Sequence, residues 1–276
     1  MTTSPKRIGL IAGSGALAVE FLEKARERDR EVAVVAFSEP VRQSLEGKAD
    51  SVVHLAPTQP KRVIRFFRAE GVRRVGFAGK VEKRMLFQSL KFDLEALRFL
   101  RRARNMADVT IMDAAIAFLE ENGFEVFPQT EYLGHLLAPR GPIGRRRLKE
   151  AQRRDADYAI RIAREVARLD IGQTVVVRRG TVVAVEAMEG TDEAIRRGCA
   201  MAGKGALVCK VARPRQDPRY DVPVVGPQTL QVLREGGASA LLVEAGRTFL
   251  IERDRLAREA DAAGVAVIGW TDDGQR

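Results

Sequence analysis

Between Leu169 and Thr191 the chain reads LDIGQTVVVRRGTVVAVEAMEGT, and its carboxylates are spaced for chemistry. Two apolar runs, 174–178 and 181–187, read as strands joined by an Arg-Gly turn in which Gly180 supplies the positive φ of a tight hairpin. A hairpin folds back on itself, so its two flanks finish at one end of the sheet. Asp170, Gln173, Glu189, Thr191 and Asp192 are thereby expected in one cluster, with Glu186 at the end of the second strand. Oxygen-rich sets suit a hard cation such as Mg²⁺, held by one or two carboxylates with substrate phosphates completing the shell. A plainer reading takes EGTDEAIRRG as a capped helix start, with Thr191 as N-cap, Glu193 in the first turn and Gly198 at the end. The two are compatible, because helix N-termini also bind phosphate.

A second chemical signal lies near the start. The strand 6–12 runs directly into Gly13-Ser14-Gly15-Ala16-Leu17-Ala18, a helical stripe of Leu17, Phe21, Leu22 and Ala25 follows, and 31–37 is the next strand. This βαβ unit opens with GxGxxA, the form of a dinucleotide-binding turn whose glycines let backbone approach a phosphate. Glu39 is a loose match for the acidic residue expected after the second strand. The strand 74–78 ends in Gly79-Lys80, so both glycine turns fall at carboxyl ends of strands, where parallel sheets bind ligands. Tight packing of helix on strand explains a GxG equally simply.

The elements that must position these residues alternate. Helix 61–69 precedes strand 74–78, a basic helix is expected over 94–104, and a capping box at 110–113 opens a helix 112–122 stopped by Gly123. The pattern lapses from Tyr132 to Lys149. The expectation is therefore an α/β chain: an N-terminal Rossmann-like, doubly wound parallel sheet over 1–133, a linker over 134–149, and a C-terminal mixed α/β domain over 150–276. In the second domain a helix 151–168 precedes the hairpin, and a helix 192–197 follows it. Then come strands 206–212 and 221–225, a helix 229–234, a hairpin of 241–243 with 248–251, a helix 254–263 and a strand 265–268.

The totals exclude several classes. The chain has 276 residues, 45% of them apolar, no apolar run approaching a membrane span and no signal peptide at its start, so a cytoplasmic location is expected. Cys199 and Cys209 fit no zinc spacing, and His54 and His135 are too few for a histidine-rich metal site. The net charge of +10 comes largely from arginine and suits nucleic acid, an anionic bilayer or a phosphorylated substrate, or else is a solvated surface. Aromatic residues do not interleave with the basic runs, which argues against single-stranded nucleic acid.

Several pieces together resemble one family, the metal-dependent UDP-2,3-diacylglucosamine pyrophosphatases of lipid A synthesis unrelated to calcineurin-like phosphoesterases. They are IGLIAGSGALAVEF, VGFAGKV, LAPRGPIG, RLDIGQTVVVRRGTVVAVEAMEGTD, YDVPVVGPQT and VEAGRTFLI, in order along essentially the whole chain. The family pattern has Pro where this chain has Ala18, a departure confined to helix entry. The resemblance implies hydrolysis of UDP-2,3-diacylglucosamine to UMP and 2,3-diacylglucosamine 1-phosphate (lipid X), with Mg²⁺ and with attack at the phosphorus bearing the sugar. It implies that the key aspartate is that of D-x-P-x-x-G, here Asp221. On that basis Asp221 binds metal or positions the attacking water, with Glu186 as a further metal ligand and Glu189 and Asp192 as catalytic partners. Lys80 and Lys210 contact phosphate, and Gly13, Ser14, Gly15, Gly79, Asp170, Gln173, Gly190 and Thr191 complete the substrate set, with the domain 1–133 expected to bind the UDP moiety and 150–276 to hold catalysis and the lipid.

A lipid substrate and a basic surface together imply a protein peripheral to the inner membrane of a Gram-negative bacterium, weakly held by anionic lipid. No nucleic-acid partner is expected, and a homodimer is left open. Two rivals remain: a nicotinamide- or flavin-binding oxidoreductase, resting on GxGxxA, and a non-enzymatic basic module.

Overall fold

The computed structural model describes residues 6–80 and 108–271. The chain divides into two compact units. The first runs to His135 and takes in Pro218–Tyr220; the second comprises Leu136–Asp217 and the chain from Asp221 onward.

In the first unit β1 (Arg7–Ala12), α1 (Leu17–Glu27), β2 (Glu31–Ala36), α2 (Glu39–Leu45) and β3 (Ser51–His54) are followed by α3 (Pro60–Ala69) and β4 (Arg74–Ala78). Then come α4 (Asp108–Glu121), β5 (Glu125–Val126) and α5 (Thr130–Leu133). The strands form one parallel sheet in the order β3-β2-β1-β4-β5. Their residues are nearly all apolar because both faces are covered. Ile11, Val35 and Phe77 pack with α3 and α4 on one face, while Phe21 of α1 stacks with Phe127 and Tyr132. The order reverses between β1 and β4, which is where such sheets open a crevice at their carboxyl ends.

The second unit contains β6 (Gly141–Pro142), α6 (Glu150–Arg168), the hairpin β7 (Thr174–Arg178) and β8 (Thr181–Val185), α7 (Thr191–Ala202) and β9 (Leu207–Lys210). It continues with β10 (Val224–Val225), α8 (Pro227–Glu235), β11 (Ala240–Glu244), β12 (Phe249–Leu250), α9 (Arg253–Ala263) and β13 (Ala266–Trp270). Six strands form a mixed sheet ordered β6-β13-β11-β9-β7-β8. One face packs on α7, α8 and α9 through Ile195, Leu230 and Leu256; the other packs on α6 through Ala159 and Ala163.

Several local expectations are corrected. Helix α2 and strand β3 lie where no periodic pattern announced them; Ser38 caps α2 by accepting from the Val41 amide. The helix expected to open at a Thr110 capping box is already helical at Asp108, the first described residue of that stretch, so Thr110 lies inside it. The expected basic helix 94–104 lies outside the described residues. The stretch read as a linker is partly sheet, since β6 pairs antiparallel with β13; a two-residue edge strand is too short to show a period. Segments 241–243 and 248–251 are not a hairpin: β11 is flanked on both sides by parallel strands, β9 and β13, and β12 pairs instead with β10. Gly198 does not end α7, which runs on to Gly203. It sits inside the helix because a Cβ there would lie 2.6 Å from Val176 of the sheet.

Candidate functional site

The hairpin turns as its residues require, with Arg179 and Gly180 both at positive φ. Its flanks meet at one end. The Glu186 amide donates to the Thr174 carbonyl, and Gly172 lies so close that a Cβ would sit 2.0 Å from the Glu186 carbonyl oxygen. Glu186 is buried, and its carboxylate accepts from the Thr191 hydroxyl at 3.0 Å and from the Gln173 amide at 3.4 Å. Thr191 is thus not the N-cap. That place falls to Gly190, at φ +84, and the freed hydroxyl serves Glu186.

Lys210 ends β9 directly beside Thr174 of β7. It is buried, and its ammonium donates to the Val224 carbonyl at 3.0 Å, tying β9 to the segment after Asp221. Burial pushes its pKa below the ordinary lysine value, against the opposing pull of Glu186, Asp192 and Asp221. Those three carboxylates act on the ammonium at longer range than an ion pair, its hydrogen bond going to the Val224 carbonyl. Asp192 also accepts from the Gln228 amide nitrogen at 3.1 Å.

Asp221 does not begin a strand. It lies three residues ahead of β10, in a turn where its amide donates to Asp217 O, and its carboxylate is about one-third exposed. Arg213 stands 3.9 Å from it and 3.3 Å from Asp170, the latter an ion pair without hydrogen-bond alignment. Arg213 was not singled out from sequence. Its only signal was its place in the polar loop between the Lys210 strand and the D-x-P-x-x-G motif.

Asp170 joins the group only through Arg213, and Glu189 stands apart. Asp170 is well exposed and occupies the left-handed region at φ +57, closing α6 in a Schellman motif: its amide donates to Ala167 O and that of Ile171 to Val166 O. Glu189 has both oxygens committed, one to Arg197 at 2.5 Å and one to the Ala187 amide at 3.0 Å. The Arg197 guanidinium holds its carboxyl below the usual range. Glu189 braces a turn rather than joining the Lys210 cluster.

In the first unit Gly13, Ser14, Gly79 and Lys80 do meet. The Gly13 amide donates to Ala78 O, Ser14 and Lys80 exchange backbone hydrogen bonds, and the Ser14 hydroxyl donates to Lys80 O at 3.0 Å. A Cβ on Gly13 would lie 2.5 Å from the Lys80 carbonyl, and one on Gly79 2.7 Å from Gly13 backbone. These two glycines permit close packing of strand ends. Only Gly15, at φ +101 with nothing within 4 Å of a built Cβ, presents open backbone at the head of α1. Glu39 is held in α2 by Arg42 at 2.9 Å and by His54 at 3.5 Å. Against the same strand ends lies an apolar cavity of about 90 Å³, walled by residues including Ile11, Phe37, Val63, Phe77, Ala115 and Phe118.

Among the described residues no three Asp, Glu, His or Cys side chains gather to hold a metal ion. Any cation bound here would draw on one or two carboxylates and take its remaining ligands from substrate or water, the usual arrangement for Mg²⁺.

Residues 7–136 match the LpxI N-terminal domain and residues 139–268 the LpxI C-terminal domain. The chain is also 32% identical over 278 residues to the UDP-2,3-diacylglucosamine pyrophosphatase LpxI of Caulobacter vibrioides, covering 96% of this chain and 97% of that one. This chain belongs to the LpxI family. Likeness to solved structures is low. The GsuK channel is 13% identical with a TM-score of 0.33, over 98% of this chain and 62% of that one. The biotin carboxylase domain of Hydrogenobacter thermophilus 2-oxoglutarate carboxylase is 11% identical with a TM-score of 0.28, over 64% of this chain and 35% of that one.

Proposed function

We propose that this chain is a UDP-2,3-diacylglucosamine pyrophosphatase of lipid A biosynthesis. The observation that carries the reading is full-length membership of the LpxI family, both domains in order, with a relative of that activity matched end to end. Hydrolysis of the P–O–P linkage of a UDP-sugar leaves UMP and the sugar 1-phosphate, here 2,3-diacylglucosamine 1-phosphate. The oxidoreductase alternative rested on the glycine turn, and the family does not favour it.

In this reading Asp221, partly exposed beside Arg213, orients the attacking water or holds a cation. Arg213 and the ammonium of Lys210 offset the charge that builds on phosphate in the transition state. Mg²⁺ is proposed as the cation, held by Asp221 and Glu186 with the pyrophosphate completing its shell; it would supply Lewis-acid neutralisation of the phosphate oxygens. We further propose weak association with the anionic leaflet that carries the substrate, driven by the net charge of +10. Among the described residues no helix is long and apolar enough to cross a membrane.

The test is release of UMP from UDP-2,3-diacylglucosamine by purified protein, with and without chelator. Turnover that depends on added Mg²⁺ is expected. No turnover with metal present overturns the activity, and full turnover in excess EDTA after metal stripping overturns the cofactor.

A further inference from the structure

Four large apolar side chains stand exposed among the described residues: Leu169, Ile171, Met188 and Met201. Three of them lie on the two flanks of the β7–β8 hairpin. Leu169 is 59% and Ile171 50% exposed, on either side of left-handed Asp170, and Met188 is fully exposed two residues past Glu186. The flanks are held together, since Gly172 rests on the Glu186 carbonyl and the Gln173 amide reaches the Glu186 carboxylate. A Schellman motif ordinarily folds its last apolar residue back onto the helix. Here the motif that ends α6 leaves Ile171 half in solvent, beside the buried-lysine cluster rather than remote from it.

Single exposed apolar residues need no explanation; three converging on one sheet end, next to the candidate site, do. The exposed acids around them have basic partners: Glu165 pairs with Arg168, Glu189 with Arg197, and Asp170 and Asp221 share Arg213. We propose that Leu169, Ile171 and Met188 form a membrane-contact patch that enters the headgroup region of an anionic bilayer and brings the hairpin end of the second unit to its lipid-borne substrate. The occupant is argued from three things: the diacyl substrate of the proposed function, on which this rests; the net charge of +10, which favours an anionic surface; and the absence of unpaired acidic groups among the charges just named.

The test compares the wild-type protein with the Leu169→Ser/Ile171→Ser/Met188→Ser variant in sedimentation with phosphatidylglycerol-containing vesicles. Removing three inserted apolar side chains should weaken binding at least about thirty-fold. Melting temperature and hydrolysis of a water-soluble short-chain substrate analogue should stay unchanged, while turnover of vesicle-borne substrate falls with binding. Met188→Trp should give a blue-shifted emission on adding vesicles, against the single native tryptophan, Trp270, which is buried. Vesicle binding that is absent in the wild type, or equal in the two proteins, overturns the patch. So does a triple variant that changes from dimer to monomer by light scattering while still binding vesicles, since the patch then faces a second copy. Failure of the wild type to hydrolyse any substrate overturns the proposed activity alone; the vesicle comparison is read independently.

Discussion

The two units place glycine-bounded strand ends against very different chemistry. At the β1 and β4 ends the contacts are backbone to backbone, with Ser14 and Lys80 laced together and an apolar cavity beside them. At the β8 and β9 ends side chains carry the contacts: the buried Lys210 ammonium donates to the Val224 carbonyl, and the Thr191 hydroxyl donates to the Glu186 carboxylate. A backbone cradle holds ground and transition states alike. Preorganised charges are worth most where charge develops, so they act on rate. On the proposed function, binding effects are expected from the glycine-bounded end of the first unit and rate effects from the charged end of the second, and each expectation can be broken.

The largest expected effect is on Asp221. Asp221→Ala should fold normally and lose kcat by about 10²- to 10⁴-fold, with KM little changed; Asp221→Asn should be nearly as poor. Steady-state kinetics beside a thermal melt decide it. A folded variant with near wild-type kcat moves the chemistry away from this aspartate.

Gly13→Ala tests whether the first cradle is structural. Its Cβ would meet backbone at 2.5 Å, which cannot move aside cheaply, so a loss of about 1–3 kcal/mol in urea unfolding is expected. Gly15→Ala meets nothing and carries only the strain of φ +101, so it should raise KM more than it lowers stability. The reverse ranking would exchange the two roles.

Lys210→Met should cost about 1–3 kcal/mol near neutral pH, because it leaves the Val224 carbonyl without its Lys210 donor. The pH dependence follows in sign. The folded-state pKa of Lys210 lies below its ordinary 10.5, so below the folded value both states are protonated and burial carries its full cost. As pH rises from there toward 10.5 the unfolded chain holds more protons, and stability rises. Lys210→Met should abolish that rise in denaturant midpoints taken across alkaline pH.

Ala115→Phe fills the apolar cavity of about 90 Å³ from helix α4 and should cost about 1–3 kcal/mol in urea unfolding with kcat unaffected. A fall in kcat in the folded variant would tie the cavity to the chemistry. Smallest of all, Thr191→Val removes one hydrogen bond to the Glu186 carboxylate and should cost about 1–2 kcal/mol, read in urea unfolding. No loss would mean that Gln173 and Lys210 suffice to hold Glu186.

How much of this was legible depended on the range of the forces involved. Local rules announced β1, α1, β4 and the β7–β8 hairpin, because strand periodicity, a helical apolar stripe and an Arg-Gly turn act within a few residues. The family and its D-x-P-x-x-G aspartate were legible as well, since motifs are carried in the chain itself. Hairpin geometry alone put Gln173 and Thr191 at one end of the sheet, where both meet Glu186. What tertiary structure alone decided was which polar groups share a partner. Thr191 reads as a helix cap until its hydroxyl is seen on Glu186, and Gly198 reads as a helix stop until Val176 is seen against it. Asp170 and Glu189 read as members of one cluster until Asp170 is seen closing α6 and pairing with Arg213, while Arg197 and the Ala187 amide hold Glu189. Lys210 becomes the centre of the cluster only when β9 lies beside β7 and the segment after Asp221 returns to it, contacts made across long stretches of chain. Pairings of that kind are set by strand order and burial, which depend on the whole fold rather than on neighbouring residues.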